Sequence, residues 1–218
     1  MNLIEVIKER KSIRSFIDKQ VSIEDVLEIL EAARWAPSAS NLQPWEFWAV
    51  TGEKRQELVG KLLEALQKSG TTYSPSGGLS EKYAERLNKL ISDILPFIEK
   101  AGIIDPNWIM KGSLSFYGAP VVIIVLFDKG SHSNKINVGI AIQNILLSAY
   151  DKGLGACSLN IPLRFESIIR ETLDVPKNLK ISNTIALGYI DEDNPLNNFK
   201  SSRAPIDEIS KLIGFDER

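Results

Sequence analysis

Pro120–Phe127 reads PVVIIVLF. Its β-branched residues follow one another without the alternation of a strand that has one face in water, so the run predicts a strand buried on both faces. A strand of that kind needs a layer on either side, and the flanking sequence offers helices for the purpose. Upstream, Glu81–Lys100 is helical, with Pro96 predicted to kink or end it. Before it, Trp45–Val50 (WEFWAV) is rich in strand formers and Glu53–Lys68 is an amphipathic helix. Farther out, Asn2 can cap a helix running to Arg10. Ser22 opens another, with Asp25 in an approximate capping box and Ile23, Val26, Leu27, Leu30 and Ala33 predicted on one face. Downstream, a long helix begins near Asn134 and closes at Gly153. Leu154–Leu159 is a short strand, Phe165–Leu173 a helix and Leu179–Tyr189 a strand, and a short helix lies near Ile206–Ile213. A few strands among many helices, without a repeat or a domain boundary, make an α+β chain read as one domain over residues 1–218.

The chain has 218 residues, 44% hydrophobic and 25% charged, with a net charge of -2. That balance gives no general basic field for nucleic acid or anionic lipid. Pro120–Phe127 is the longest apolar run and is too short to span a bilayer, and MNLIEVIKERKSIR has no apolar signal core. Cys157 is the single cysteine, so no internal disulfide forms and a reducing, cytoplasmic setting is the natural expectation. His132, the single histidine, sits in the turn-like stretch Lys129–Asn134, and a His/Cys zinc site lacks ligands. GxGxxG, P-loop and HExxH patterns are absent, so chemistry here rests on a bound cofactor or on carboxylates.

Two constellations stand out. Arg10-Lys11-Ser12-Ile13-Arg14 places three cations and a hydroxyl together; in an extended segment Arg10, Ser12 and Arg14 point the same way. Such a set suits a phosphate, and equally a solvated helix terminus where the macrodipole favours cations. Pro37-Ser38-Ala39-Ser40-Asn41-Leu42-Gln43 is a Pro-stiffened loop of donors and acceptors. It can recognise an imide or a polyol, or simply connect a helix to a strand. Residues Ser69–Ser80 are Gly- and Ser-rich, which weighs against regular structure. The stretch after Asp191 has few apolar residues before Ala204, so it lies on another surface, that of a partner subunit being one candidate.

RKSIR followed by ARWAPSASNLQPWEF (Ala33–Phe47) resembles the FMN-dependent nitroreductase family. The strand APVVIIV, the long helix into Gly153-Leu-Gly-Ala-Cys157, and GYIDED followed by the basic tail Lys200-Ser-Ser-Arg203-Ala-Pro205 agree in order. The resemblance implies a central, mostly antiparallel sheet flanked by helices, with a C-terminal extension over residues 191–218 that embraces the partner. It implies a homodimer with FMN sites shared between subunits. Arg10 and Ser12 then grip the FMN phosphate and ribityl chain, Lys11 belongs to the same motif, and Arg14 lies at the pyrimidine edge of the isoalloxazine. Pro37, Ser38, Ala39, Ser40, Asn41 and Gln43 approach the flavin from the opposite subunit. Leu159 and Asn160 end the strand that faces flavin N5; many relatives carry Gly where this sequence has Asn160. Arg203, or else Lys200, completes the phosphate site, and Lys111 is a weaker candidate for the flavin edge.

The implied activity is hydride transfer from NADH or NADPH, by way of flavin N5, to a small electron-poor acceptor such as a nitroaromatic, quinone or enone, with ping-pong kinetics and no protein catalytic group. Other outcomes are a reductive dehalogenating or flavin-fragmenting enzyme on the same scaffold, a flavin carrier without catalysis, or a dimeric scaffold without flavin. Residues 69–118 vary most among relatives and form an insertion or lid. Tyr73, Phe97, Trp108, Phe116 and Tyr117 either wall the flavin or are ordinary core. Cys157 reads as a buried small residue rather than a nucleophile.

Overall fold

The computed structural model describes residues 2–72, 78–131 and 134–215. Tyr73 and His132 lie outside the described residues. The continuous apolar run forms β2 (Val121–Asp128), which pairs antiparallel with β1 (Trp45–Val50) on one side and β4 (Leu179–Tyr189) on the other. β3 (Leu154–Leu159) closes the far side of β4, giving the order β1–β2–β4–β3, antiparallel at every step.

Both faces of β2 are covered. Val121, Ile123, Val125 and Phe127 enter one core with Val26, Ile29 and Ala33 of α2 (Ile23–Arg34) and Val138, Ala141 and Ile145 of α6 (Asn134–Asp151). Val122, Ile124 and Leu126 enter a second core with Leu58, Leu62 and Leu66 of α3 (Gly52–Ser69), Met110 and Leu114 of α5 (Trp108–Leu114) and Ile169 of α7 (Glu166–Leu173). Because successive side chains of a strand point to opposite faces, a strand between two apolar layers has no polar position to spare. Each large side chain so buried stabilises the fold by roughly 1.5–3 kcal/mol.

The first two helices start at their caps. In α1 (Leu3–Glu9), Asn2 accepts from the Glu5 N–H and the Glu5 carboxylate accepts from the Asn2 N–H, a reciprocal box. Ser22 accepts from the Asp25 N–H at 3.0 Å and opens α2. The α2 face differs from expectation: Val26, Ile29 and Ala33 are buried, whereas Ile23 and Leu27 are exposed. α4 (Glu81–Lys100) has the expected bounds and runs through Pro96, so the proline does not end it. The carbonyl that the proline ring leaves without an amide belongs to exposed Ser92, where water can reach it. No residue of α4 is buried, although its sequence is strongly amphipathic. Among the described residues no helix is long and apolar enough to cross a membrane.

After β4 the chain crosses a 3-10 turn at Pro195–Asn198, where Leu196 and Asn197 are buried, and Phe199 packs edge-on against Phe97 of α4 at 5.6 Å. This part of the extension lies on its own protomer. Beyond it, α8 is shorter than expected (Ile206–Ile209), and Ile206, Ile209, Leu212, Ile213 and Phe215 are exposed.

The N-terminal segment after α1 adds to the sheet. Ile13 donates its N–H to the Ala156 carbonyl at 3.1 Å, and Phe16 bridges Ile190. Two glycines make room for it. A Cβ on Gly155 would lie 2.8 Å from Ile13, and one on Gly188 would lie 2.5 Å from the Pro120 ring and 3.0 Å from Phe16. Gly188→Ala is therefore expected to cost about 1–3 kcal/mol through overpacking against a rigid ring. Urea unfolding checks this, and a midpoint equal to that of the parent contradicts the close packing.

Candidate functional site

Arg10 ends α1: its φ of -53° and ψ of 131° turn the chain out of the helix, while its N–H still reaches the Val6 carbonyl. The extended run that follows buries Ile13 against Gly155. The neighbours on either side of Ile13 and the helix end that precedes them border a cavity of about 1050 Å³, lined by Arg10, Lys11, Ser12 and Arg14 together with Lys200 and Arg203 of the tail. Cations from the two ends of the chain thus meet at one place. α4 adds Arg86, Lys89 and Leu90 to the wall. Sequence reasoning missed these three; the signal was the amphipathic pattern of Glu81–Lys100.

The cations are not equivalent. Lys200 is paired with Glu9 at 2.8 Å, and Arg86 with Glu208 at 3.2 Å. Lys11 donates to the Asn197 carbonyl at 2.6 Å. Arg203 folds onto its own tail, donating to the Ser201 hydroxyl at 2.7 Å and the Ser202 carbonyl at 2.9 Å. Arg14 donates to the Ser12 carbonyl at 3.3 Å. Arg10 differs from all of these, because its Nε is buried without a hydrogen-bond partner. Burial, and then the charge of Arg203, pull its guanidinium below the usual arginine value. A buried, unpartnered N–H of a cation beside a second cation is costly, and an anion with several acceptor oxygens relieves both terms.

Asn197, which the sequence did not single out, holds this arrangement together. Its side-chain carbonyl accepts from the Arg14 N–H at 2.8 Å, and its Nδ2 donates to the Ser15 and Asp191 carbonyls, each at 2.8 Å. It is 2% exposed.

The loop Pro37–Gln43 does not reach this cavity in the same protomer. It forms a 3-10 turn at Ala39–Asn41, and Ser40, Asn41 and Gln43 all have positive φ (51°, 53° and 46°). Three non-glycine residues in the left-handed region within so short a span store strain, on the order of 1–3 kcal/mol each. Ser38 Oγ accepts from the Gln43 N–H at 2.9 Å, and Asn137 Oδ1 accepts from the Ala39 N–H at 3.4 Å. Residues 39–43 are exposed, as is Trp35 beside them. Strain held in an exposed polar loop is a feature of recognition surfaces.

Residues 7–189 match the profile of the Nitroreductase family, which is most of the chain. The chain belongs to that family. It is 32% identical over 222 residues to a 4-nitrobenzoate reductase of Nocardioides sp. (strain LMS-CY), covering 97% of this chain and 90% of the relative. It is 30% identical to a nitrobenzene nitroreductase of Ectopseudomonas oleovorans, covering 96% of each. Among solved structures it is similar to the FMN-dependent nitroreductase NfnB from Mycobacterium smegmatis in complex with NADPH, with a TM-score of 0.84, 27% identity, and coverage of 96% of this chain and 97% of that one.

In this nitroreductase chain the remaining predicted residues fall apart from the cationic cavity. Leu159 is buried at the end of β3, and its carbonyl accepts from Thr184 Oγ1 at 2.9 Å. Asn160 follows it, exposed, at φ -101° and ψ -16°. That conformation is open to any residue, so the replacement of glycine by Asn160 costs the backbone nothing here. Lys111 does not line the cavity; it is exposed on α5 and paired with Asp105 at 2.5 Å. Phe116 is fully buried in the second core, Tyr117 packs against that core, and Phe97 lies on Phe199. Gly112 is explained by Tyr117, whose ring would lie 2.3 Å from an added Cβ.

Cys157 is 3% exposed, and burial raises its thiol above the ordinary value, with Arg14, Ser12 and Arg10 offsetting part of the effect. A raised thiol stays protonated at neutral and mildly alkaline pH and is a poor nucleophile. We expect a thiol reagent at pH 8 to label Cys157 only after unfolding. Rapid stoichiometric labelling of the native protein contradicts that burial.

Proposed function

We propose that this nitroreductase-family chain binds FMN non-covalently, works as a homodimer, and moves hydride from NADH or NADPH to a small electron-poor acceptor, with nitroaromatics as the class that fits best. The observation that carries the reading is the convergence of Arg10, whose Nε is buried and unpartnered, with Ser12, Lys200 and Arg203 around one cavity. A phosphate monoester brings two negative charges and several acceptors, which match two crowded guanidiniums and a hydroxyl. The names of the relatives, a 4-nitrobenzoate reductase and a nitrobenzene nitroreductase, support the acceptor class. The NADPH-bound structure supports the donor.

When bound, FMN supplies a two-electron carrier that takes hydride from the nicotinamide and gives it to an acceptor at the same face, which predicts ping-pong kinetics. The protein's part is binding and electrostatics. Arg10, Ser12 and Arg203 hold the phosphate end, with Lys200 contributing charge from its pair with Glu9. Arg14 would supply a fixed cation toward the pyrimidine edge, where it would favour negative charge on the reduced ring. The backbone N–H groups at the end of β3, at Leu159 and Asn160, would be the donors toward N5 on this reading. Within residues 69–118, α4 lines the cationic cavity and would border the acceptor pocket on this reading.

The strained loop Pro37–Gln43 completes the site of the other subunit. Two sets of observations support a second copy as its partner. The loop is exposed and lies outside the cavity of its own chain. Apolar side chains on several elements are also left in water, among them Leu3, Ile4 and Ile7 on α1, Ile91 and Leu95 on α4, and the tail from Ile206 to Phe215. That much exposed apolar surface is typical of a face covered by association. A ligand bridging two chains stabilises both, so FMN retention and dimerisation are linked.

Two measurements test the reading. Arg10→Ala is expected to weaken FMN binding by about tenfold or more, since a charge-assisted bond of roughly 1.5–3 kcal/mol is lost; an unchanged dissociation constant in a flavin fluorescence titration rejects it. Arg10→Ala and Asn41→Ala are each expected to lose FMN as homodimers. Mixed and re-annealed, they should regain a fraction of sites, because one site per heterodimer draws both residues intact. No regained flavin rejects the shared site.

A further inference from the structure

The cationic cavity is made of two segments far apart in sequence, and the charge contact between them is the half-exposed Lys200–Glu9 pair, which solvent screens. Arg10 and Arg203 repel, as the depression of Arg10 by Arg203 indicates. After β4 the tail crosses the 3-10 turn Pro195–Asn198, which buries Leu196 and Asn197, before it reaches the cavity. The tail also packs through Phe199 and pairs through Lys200, but its hydrogen bonds to residues 11–15 centre on one residue. Asn197 takes the Arg14 N–H on its Oδ1, gives its two Nδ2 hydrogens to the Ser15 and Asp191 carbonyls, and receives the Lys11 ammonium on its own carbonyl. All of these partners but Asp191 sit in the N-terminal basic segment or beside it. The side chain is neutral, so it joins the segments without neutralising the charge that the ligand is to meet. Both of its donor hydrogens are used, so a substitute must reproduce an acceptor and a two-hydrogen donor at once.

We infer that Asn197 is the positioning residue of the phosphate site: it sets the spacing between the Arg10–Arg14 segment and the Lys200–Arg203 segment and thereby fixes FMN affinity. It does not touch the ligand. This rests on the FMN reading above and adds to it the residue through which the tail acts. A neighbouring contact provides an internal control. Ser15 Oγ donates to Asp191 Oδ2 at 2.7 Å at the same joint but takes no part in the Asn197 bonds, which use the Ser15 backbone carbonyl.

The test compares Asn197→Leu, Asn197→Ser and Ser15→Ala in the full-length protein, the serine variant serving if the leucine variant fails to fold. Without FMN, hydrogen exchange over residues 11–16 reads the joint directly. The Arg14 amide is expected to be protected in the parent and in Ser15→Ala, and to exchange freely in both Asn197 variants while β2 stays protected. With FMN, both Asn197 variants are expected to bind about tenfold more weakly, as the loss of one or two buried hydrogen bonds implies. Ser15→Ala is expected to lower Tm yet keep FMN affinity within about twofold, since it removes the Asp191 bond and leaves the Asn197 bonds, which use the Ser15 carbonyl, in place. The inference is overturned if the Asn197 variants expose the Arg14 amide but bind FMN as the parent does. It is equally overturned if Ser15→Ala loses affinity in proportion to its Tm, since the effect is then general destabilisation. A parent protein that takes up no FMN overturns the cofactor reading instead, while exchange still reports whether Asn197 holds the joint.

Discussion

Arg10 and Arg203 carry the same charge and are held in each other's field, with the Arg10 Nε buried and unpaired. The surrounding structure has to resist that repulsion. It does so with neutral contacts: the Ile13 N–H on the edge of β3, Ile13 itself against Gly155, and the amide of Asn197 between the basic segment and the tail. Salt bridges contribute little. Lys200–Glu9 and Arg86–Glu208 lie in exposed or partly exposed positions, where solvent and salt screen such pairs. The site is therefore built to be short of negative charge, and its architecture keeps the deficit in place.

The sheet makes this possible because it does not give way. β2 is covered on both faces, β4 lies beside it, and β3 at the edge accepts the N-terminal segment as a further strand-like neighbour. Gly155 and Gly188 let that segment approach to a distance no larger residue allows. The cation spacing is thus referred to a rigid base rather than to a flexible loop. Strain elsewhere has the same support. Ser40, Asn41 and Gln43 hold left-handed conformations on a loop fixed by Ser38 and by Asn137 of α6. Rigid elements that present strained or charge-crowded groups are a general way of preorganising a binding site.

Much of this was legible in the chain itself. The unbroken apolar run of β2 required two covering layers, and the boundaries of β1, β3 and β4 followed from strand formers bounded by turn residues. Pro96 does not end α4, because the carbonyl its ring leaves without an amide belongs to a residue in water. The α2 face was misassigned because Ile23 and Leu27 are as apolar as the buried Val26 and Ile29; periodicity shows that a helix has an apolar side, not which apolar residues stay uncovered within one protomer. Asn197 went unseen because a lone asparagine in a polar tail has no pattern. Its importance lies in partners far away along the chain.

By itself the sequence determined the α+β layering and the chemistry available, because local periodicity and residue type are properties of short stretches. It also placed basic residues at both ends of the chain and a polar, proline-stiffened loop between them. Only the tertiary structure decided that Arg10, Ser12, Arg14, Lys200 and Arg203 border one cavity, that Lys111 is occupied elsewhere, and that α4 supplies a wall. Those outcomes depend on contacts between residues distant in the chain, where the energy of packing and hydrogen bonding, not local preference, selects the arrangement.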